Sequence, residues 1–544
     1  MDATKRFFRA CLTLFVFLFI GTCEATAASS TDDQDPKPAT SLAELSAGEI
    51  SRLERLLNVE LNALANGKSY LDEDLTSFNL RVSIDPIRDA VVIDMDEKYG
   101  PLEDSPELGD LRRLLDNKAV WLLRRDVEFE NLYFTYGGKD PSFWFPDYGK
   151  PAQVRPLDGS YRDKSDSRGL GGVAISAGHG RYHHYKWGWV FQRDAKQGNG
   201  IQEDLITQDY AEALQAALAT HAGDYAFFSR AMSGVRDDGF PWREMAARYY
   251  LENNYPNRPD IWNTNKESVR DDRELKDDIN SRAIHANVLG VNALIHLHTN
   301  AGGGSGAEAV FHGGRIVDEK MAQSILCYMD ELIKSTKYKD FKVKRYPIPR
   351  TDLALNRLAS MPSVVVEVGY HSNPNDAVAL QDPDFMKAAM KGVAKGYRAF
   401  VQREECHHFG VDKVDDLASY IDGDFGKLVS FPIKMNYAGY PHGNVEAKVE
   451  FLECPVNWYC DGRRGLIRLL DVKEKIASYG FQCHMGGPIP MASFLIRTTL
   501  IDSDGVETTP VEHRVTCGDP SGSGVPDGPS GLILASAQWV GSAS

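Results

Sequence analysis

The chain has 544 residues, more than one average domain holds, so the length predicts roughly two to four folding units. Hydrophobic residues make up 42% and charged residues 25%, which is ordinary globular usage and excludes a disordered, fibrous or polytopic membrane protein. The 77 acidic residues outnumber the 61 Lys and Arg residues, for a formal charge of −16. A nonspecific attraction to polyanions is therefore excluded, and we expect no nucleic-acid partner.

Residues 1–27 have the pattern of an export signal. Basic Lys5, Arg6 and Arg9 precede an apolar run over 12–20, which is shorter than the roughly 20 residues that span a bilayer. Residues 25–27 (ATA) fit a small-x-small cleavage site. We therefore expect an exported protein, periplasmic or extracellular, with no stable membrane span after cleavage.

Six cysteines remain after removal of this segment: Cys327, Cys406, Cys454, Cys460, Cys483 and Cys517. An even number in an oxidising compartment predicts disulfides, but the sequence does not choose the pairing. Four of the six follow residue 450, and Cys454 and Cys460 are near enough to close a small loop. Cys23, inside the signal, leaves a lipoprotein form open as the alternative to release.

The first folding unit follows a polar leader over residues 28–40. Residues 41–165 predict a small α+β domain of unknown role, which ends in the aromatic stretch 143–145, FWF. That stretch either stacks on sugar rings or packs between domains. The elements predicted here are a helix over 46–67 that starts with a capping box, strands over 80–84, 91–95 and 119–123, and a helix over 107–115.

The second unit, residues 166–405, alternates strands with helices. This alternation predicts an α/β catalytic domain with a doubly wound, mostly parallel sheet and its site at the carboxyl ends of the strands. The predicted strands are 171–176, 293–297 and 363–368, and the predicted helices are 204–218, 318–333 and 385–401.

The third unit, residues 423–518, predicts a disulfide-supported β domain, for which a sandwich is one arrangement. Alternating patterns indicate strands over 428–435, 445–451 and 494–501, with a short helix near 466–478. Residues 519–544 are rich in Gly, Ser and Pro and predict a flexible tail.

Four polar residues of the second unit lie at predicted strand ends or at a helix start: His179, Glu203, His298 and Glu367. Two imidazoles and one carboxylate are the ligand set of a catalytic Zn²⁺ that keeps one position open for water. A further glutamate beside the metal can accept the proton of that water and deliver it to the leaving amine. Each residue alone has an ordinary structural explanation, but a doubly wound sheet brings all four to one edge.

These residues lie in motifs that resemble the zinc-dependent N-acetylmuramoyl-L-alanine amidases, which cleave peptidoglycan. The resemblance covers about residues 171–402 and is carried by AGHG, the helix-opening glutamate, the segment 269–301 that ends in LIHLHTNA, and VVVEVGYHSNPND. It implies His179, Glu203 and His298 as zinc ligands and Glu367 as the catalytic acid/base. It also places Arg282 in a family-like stretch, with a role in substrate binding or, more ordinarily, in a structural ion pair.

The chain departs from the family pattern in three places, one of which is the stretch 181–189, RYHHYKWGW, where the family usually has a glycine-rich Asp-Pro-Gly stretch. Ser176 stands where the family usually has Asp, and the longer segment over 222–270 is either a lid or an added packing layer. His296 lies on the same strand face as His298, and we prefer His298 as the ligand because it is nearer the carboxyl end. His183 and His184 are interpreted as loop histidines.

Three functions fit these motifs. The first is hydrolysis of the amide between N-acetylmuramic acid and L-alanine in peptidoglycan, for which a regulatory protein partner is possible. The second is an exported zinc carboxypeptidase that acts on stem peptides, because the same ligand set serves general amide hydrolysis. The third is a noncatalytic wall-binding protein of the same fold. The sequence does not give the roles of the terminal domains or the oligomeric state.

Overall fold

The structure is a computed structural model of the chain. It describes residues 40–68, 70, 74–103, 105–123, 127–129, 131–146, 172–193, 198–220, 224–415, 428–456, 458–471, 473–484, 492–517 and 533–538. The predicted export signal and nearly all of the polar leader lie outside these residues. No helix among the described residues is both long enough and apolar enough to cross a membrane.

The N-terminal region forms a small α+β unit with its own apolar core. Its three-stranded sheet has the order β2-β3-β5, antiparallel between the first two strands and parallel between the last two. The elements are β1 (Thr40–Ser41), α1 (Ala47–Asn66), β2 (Arg81–Asp85), β3 (Ala90–Met95), α2 (Pro106–Leu123), β4 (Val127–Glu128), β5 (Asn131–Tyr136) and α3 (Pro141–Trp144). The predicted capping box of α1 is present, since the Glu49 backbone N–H donates to Ser46 Oγ and the Glu49 carboxylate accepts from the Ser46 N–H.

The strand predicted over 119–123 is wrong, because these residues are the last turns of helix α2. The apolar side chains recur every three or four residues through the whole segment, and all of them are buried: Leu108, Leu111, Leu115, Ala119 and Leu123. The helical spacing therefore continues past residue 115, where the sequence analysis ended the helix.

The aromatic stretch at the end of this unit packs mainly within it. Trp144 contacts the N-terminal core, and a Cβ added at Gly100 would lie 2.2 Å from its ring, so only glycine fits beneath it. Phe143 is 60% exposed. Trp144 therefore packs within its own unit, whereas Phe145 lines a cavity beside the central unit.

The central unit has the predicted α/β architecture. Its six-stranded sheet has the order β12-β11-β13-β10-β6-β9, and every neighbouring pair is parallel except β11 with β13. The elements are β6 (Val173–Ala177), β7 (Arg181–His184), β8 (Gly188–Phe191), α4 (Glu203–Ala219), β9 (Ala226–Phe228), α5 (Ala247–Asn254), α6 (Pro259–Trp262), α7 (Arg273–Leu289), β10 (Ala293–Asn300), β11 (Glu308–His312), α8 (Ile316–Lys334), β12 (Ile348–Arg350), α9 (Ala354–Arg357), β13 (Ser363–Tyr370), α10 (Pro374–Leu380) and α11 (Pro383–Gln402). The main core lies between the sheet and helices α4, α8 and α11.

The described part of the longer segment, residues 224–270, forms a packed layer against the central unit. Helices α5 and α6 contact α7, and Tyr249 is buried against Tyr182 and Leu275. The Tyr249 hydroxyl accepts a hydrogen bond from the backbone N–H of His183 at 2.7 Å. His183 and His184 themselves lie in strand β7 and not in a loop, because β7 pairs with β8 as a hairpin.

The C-terminal region is a β sandwich. One sheet has the order β14-β15-β20-β23-β17 with β19 beside β20, and the other has the order β18-β16-β21-β22. The strands are β14 (Gly410–Val414), β15 (Leu428–Ala438), β16 (Glu446–Glu453), β17 (Trp458–Asp461), β18 (Arg464–Leu466), β19 (Arg468–Asp471), β20 (Ile476–His484), β21 (Ala492–Ile501), β22 (Val511–Cys517) and β23 (Ile533–Gln538). Apolar side chains of both sheets form one core.

Three predictions for this region are wrong. The helix near 466–478 is replaced by strands, and Ala477, Tyr479 and Phe481, at every second position of β20, belong to the core of the sandwich. The flexible tail over 519–544 contains β23, which is ordered by pairing with β17 and β20. Strand β14 lies before the predicted start at residue 423 and pairs with β15.

Two disulfides join described residues. Cys454 pairs with Cys460, as their spacing suggested, and Cys327 pairs with Cys406. The second disulfide ties helix α8 to the segment that follows α11. Cys517 is also disulfide-bonded.

Candidate metal centre

Three side chains converge at the carboxyl edge of the central sheet. His179 Nε2 lies 3.0 Å from His298 Nδ1 and 3.1 Å from Glu203 Oε1, and the last two atoms are 3.3 Å apart. All three residues are buried. Their ligand atoms are close enough to one another to hold a single metal ion.

The loop after β6 brings His179 into place. His179 has φ 60° and Gly180 has φ 123°, so the chain turns through the left-handed region immediately after the strand. A Cβ at Gly178 would lie 2.7 Å from the His298 ring, and therefore the close approach of the two imidazoles requires glycine there. The contact with His298 thus explains Gly178, and the backbone conformation explains Gly180.

The donor set fits a metal ion. A tetrahedral zinc with bonds of about 2.0–2.1 Å spaces its ligand atoms about 3.3 Å apart, close to the separations seen here. The other ring nitrogen of His179, Nδ1, lies 3.1 Å from Gln192 Oε1, and Gln192 Nε2 donates to Asp278 at 2.9 Å. Because the Gln192 oxygen can only accept, Nδ1 carries the proton and Nε2 has its lone pair free for a metal.

The electrostatics prepare these groups for metal binding. Burial, together with the charge of Arg193, lowers the pKa of His179 well below its ordinary value, and burial lowers the pKa of His298 to about 4. Burial acts against ionisation of Glu203, but Arg193, 3.5 Å from Oε2, and the backbone N–H of Thr299, which donates to Oε1 at 3.0 Å, favour the carboxylate, and the pKa of Glu203 lies well below its usual value. At neutral pH the site therefore presents two neutral imidazoles and a carboxylate.

Glu367 lies beside this cluster, opposite His298 in the register between β13 and β10. Its Oε1 accepts a hydrogen bond from Arg113 Nη1 at 2.8 Å, and its buried Oε2 has no hydrogen-bond partner among the described residues. Burial raises its pKa to about 8; Arg113 opposes this rise and Glu203 adds to it. The same cavity reaches Glu367, His179 and His298.

Arg282 is not one of the three converging side chains, but it holds the backbone that carries one of them. Its guanidinium forms an ion pair with Asp278 and donates to the backbone oxygen of His179 at 2.9 Å. This contact holds the AGHG turn in place, which agrees with the structural role considered from the sequence.

His296 and His183 have their contacts outside the cluster. His296 is fully buried, and its Nε2 lies 3.3 Å from the Leu355 carbonyl oxygen, on the side of helix α9. His183 packs edge-on against Trp189. Of these two strand residues, it is His298 that converges with His179 and Glu203.

Sequence reasoning missed the residues that α2 brings to the site. Arg113 contacts Glu367, and Asp110 forms an ion pair with Arg193 at 2.7 Å. Asn117 donates to Asn300 Oδ1 at 2.9 Å. Charged and amide residues on an amphipathic helix have the pattern of a solvated face, so no signal in the sequence distinguished them.

The fold and the site together define a class: an α/β protein with a buried His–Glu–His cluster able to hold a metal ion, next to a buried glutamate. Comparison with known proteins is consistent with this class. Residues 173–399 match the model of a family described as N-acetylmuramoyl-L-alanine amidase. The match confirms the resemblance predicted from the motifs.

Similar proteins carry the same description. The N-acetylmuramoyl-L-alanine amidase CwlM of Bacillus licheniformis is 28% identical over 123 residues, which are 22% of this chain. The chain spans 46% of the length of that relative. Among solved structures, an N-acetylmuramoyl-L-alanine amidase of Clostridium difficile 630 aligns over 44% of this chain and 100% of its own, with 16% identity and a TM-score of 0.30. The amidase Ami1 of Mycobacterium smegmatis aligns over 44% and 99%, with 18% identity and a TM-score of 0.29.

Proposed function

We propose that the chain is an exported, zinc-dependent N-acetylmuramoyl-L-alanine amidase that hydrolyses the amide between N-acetylmuramic acid and L-alanine in peptidoglycan. The observation that carries this proposal is the convergence of His179, Glu203 and His298 within 3.3 Å of one another, in a segment that matches the amidase family. Export rests on the sequence pattern of residues 1–27.

The proposed roles follow from the contacts of each side chain. His179, Glu203 and His298 would hold the zinc, and polarisation of the amide carbonyl and of a water molecule is the chemistry that the metal supplies when bound. Glu367 takes a proton from the attacking water and returns it to the nitrogen of L-alanine as the amide C–N bond breaks. Its buried Oε2, without another partner among the described residues, suits this transfer.

The products distinguish this function from the alternatives. Purified peptidoglycan is digested by the full chain with and without a chelator, and the released fragments are identified by mass. An amidase releases stem peptides that begin with L-alanine and leaves glycan strands with free lactyl groups, and the chelator stops it. Release of single carboxyl-terminal amino acids would support a carboxypeptidase instead, and metal-independent binding without cleavage would support a wall-binding protein. A regulatory protein partner remains a prediction.

A further inference from the structure

Helix α2 contributes to the site although it lies outside the segment that matches the amidase family. Arg113, on this helix, donates from Nη1 to Glu367 Oε1 at 2.8 Å, and the Glu367 side chain is only 3% exposed. The contact joins residues 254 positions apart in the chain. The group assigned to proton transfer is therefore held by a side chain of another folding unit.

Arg113 belongs to a row of alternating charges that connects the acid/base to a proposed metal ligand. Beyond the Glu367 contact, Arg113 Nη2 lies 3.7 Å from Asp110 Oδ1, which in turn lies 2.7 Å from Arg193 Nη2. Arg193 Nε completes the row 3.5 Å from Glu203 Oε2. The two arginines reduce the repulsion between the two buried glutamates, and α2 supplies Arg113 together with the aspartate that lies between the two arginines.

The position of α2 is fixed by contacts of the residues that follow Arg113 on the helix. Asn117 donates to the Ala301 carbonyl at 2.9 Å, and Asp116 accepts from Arg350 at 3.0 Å. A Cβ at Gly303 would lie 3.0 Å from the Trp121 ring, so the loop after β10 approaches the helix closely. These contacts fix the register of the helix against the central sheet.

Helix α2 forms a wall of the site without filling it. A cavity of about 450 Å³ remains between the helix and the central unit, and it is lined by Arg113, Asn117, His179, His298 and Glu367. This volume lies in the range of small-molecule sites, about 300–1,000 Å³. A helix that only blocked the site would be expected to fill the space beside the proposed ligands, whereas α2 leaves this cavity open.

We propose that Arg113 is a positioning residue for Glu367, and that the N-terminal unit thereby completes the active site in the same chain. By fixing Oε1, the guanidinium leaves Oε2 as the oxygen that exchanges the proton. This inference rests on the proposed amidase function. The opposite role, an inhibitory contact that must be released before catalysis, is an outcome of the following test.

The test compares Arg113→Gln, Arg113→Lys and Arg113→Ala in the full chain, with steady-state kinetics on a soluble muropeptide. Lys118→Gln is the matched control, because Lys118 lies on the same helix but pairs with Glu60 of its own unit at 2.9 Å. We expect kcat of Arg113→Gln to fall about 10- to 100-fold, as for other groups that orient a catalytic residue. KM and bound metal should stay near wild type, and Arg113→Lys should keep intermediate activity. A low concentration of guanidinium ion should restore part of the kcat of Arg113→Ala.

Each outcome bears on the proposal. A kcat of Arg113→Gln equal to or above that of wild type would overturn the positioning role, and a rise would identify an inhibitory contact. If Arg113→Ala unfolds below the assay temperature, the Gln and Lys variants decide. Wild-type protein that cleaves no peptidoglycan amide, with all variants equally inactive, would contradict the proposed function and this inference with it. Normal wild-type turnover with unchanged variants would overturn the inference alone.

Discussion

Two kinds of contact at single residues determine the chemistry of the site. The nitrogen and oxygen atoms that face one another, on His179, Glu203 and His298, are spaced as metal ligands are. Glu367 differs, since a guanidinium binds one of its oxygens and no described residue hydrogen-bonds to the other. The three converging residues are therefore suited to hold an ion, and Glu367 is suited to transfer a proton.

Substitution separates these two roles. Glu367→Gln keeps the shape of the side chain but cannot accept a proton, so we expect turnover to fall at least about 100-fold with metal content unchanged. His179→Ala removes a ligand atom, so it should lose both metal and turnover. Metal analysis of the purified variants, together with the peptidoglycan assay, measures both effects. Near-normal hydrolysis by Glu367→Gln would contradict the acid/base role.

A buried histidine away from the site predicts a pH dependence of stability. Burial lowers the pKa of His285 to about 4, whereas the unfolded chain takes up a proton near 6.5. The neutral ring therefore contributes stability above pH 6.5 that is lost as the pH falls towards 4, at about 1.4 kcal/mol per pH unit. Urea unfolding at pH 7 and pH 5 gives the free energy of unfolding at both pH values. In the His285→Gln variant, the decrease between them should be smaller than in wild type by about 1–2 kcal/mol.

The control for this measurement is His407→Gln, which removes a largely exposed ring. Its loss of stability between the two pH values should match wild type. A His285→Gln variant as acid-sensitive as wild type would show that the buried ring does not produce the effect.

At the residue level, the sequence identified side chains whose chemistry is rare in combination. His179, Glu203, His298 and Glu367 are such a set, and the structure places all four at one sheet edge. Gln192 was not identified, because an amide next to a histidine ring is a common pairing that only the folded loop creates. Arg113 was missed for a related reason, since its partner is 254 residues away.

At the level of elements, the packing of α8 on α11 depends on two glycines spaced one turn apart. A Cβ at Gly392 would lie 2.6 Å from Met329 Cα, and one at Gly396 would lie 2.5 Å from Ile325 Cα. Both contacts involve helix backbone, which cannot rotate away. The two helices approach closely only because these positions lack a side chain.

Gly396→Ala should therefore destabilise the central unit by about 1–3 kcal/mol, although alanine favours helix formation. Gly48→Ala on α1 is the matched control, because a Cβ there meets nothing within 4 Å. We expect that control to raise stability by up to about 1 kcal/mol. Urea unfolding of both variants measures the effect, and an equally stabilising Gly396→Ala would contradict the close packing.

The six elements predicted in the central unit, β6, β10, β13, α4, α8 and α11, were predictable because each carries a continuous apolar pattern that is long enough to define its period. The short strands β18 and β19 of the C-terminal region were not predictable, since they have three and four residues and are ordered by their neighbours. Strand β23 depends on pairing with β20, which lies about 50 residues earlier. Local pattern alone cannot supply such partners.

At the level of the whole molecule, a buried charge cluster joins the central unit to the β sandwich. Lys395 on α11 is fully buried, with Nζ 2.5 Å from Glu331 Oε2 and 3.4 Å from Asp502 Oδ2. Glu331 also accepts from the backbone N–H of Phe409 at 2.6 Å. The cluster and the nearby Cys327–Cys406 disulfide fix the connection between the two units.

Lys395→Met should leave two buried carboxylates without their cation and cost about 3–5 kcal/mol. The matched control is Lys391→Met, one turn earlier on α11, where the pair with Asp504 is 2.8 Å long but the lysine side chain is 26% exposed. Its loss should be clearly smaller. Chemical denaturation of both variants compares them, and equal losses would contradict the dependence on burial.

The order of the units along the chain was readable from composition and periodicity, but their arrangement was not. How α2 meets the central sheet depends on side-chain pairs such as Asp116 with Arg350, which are separated by 234 residues. No local property of the sequence encodes such a pairing. The inference about Arg113 therefore depends on the folded arrangement alone.

The most direct test of the account is anomalous X-ray diffraction from crystals of the full chain, measured on both sides of the zinc absorption edge. The account predicts one strong zinc peak bounded by His179 Nε2, Glu203 Oε1 and His298 Nδ1. That peak should be absent from crystals of the His179→Ala variant. A zinc-loaded crystal with no peak between these three atoms, or with its peak held by other residues, would contradict the proposed metal centre and the function built on it.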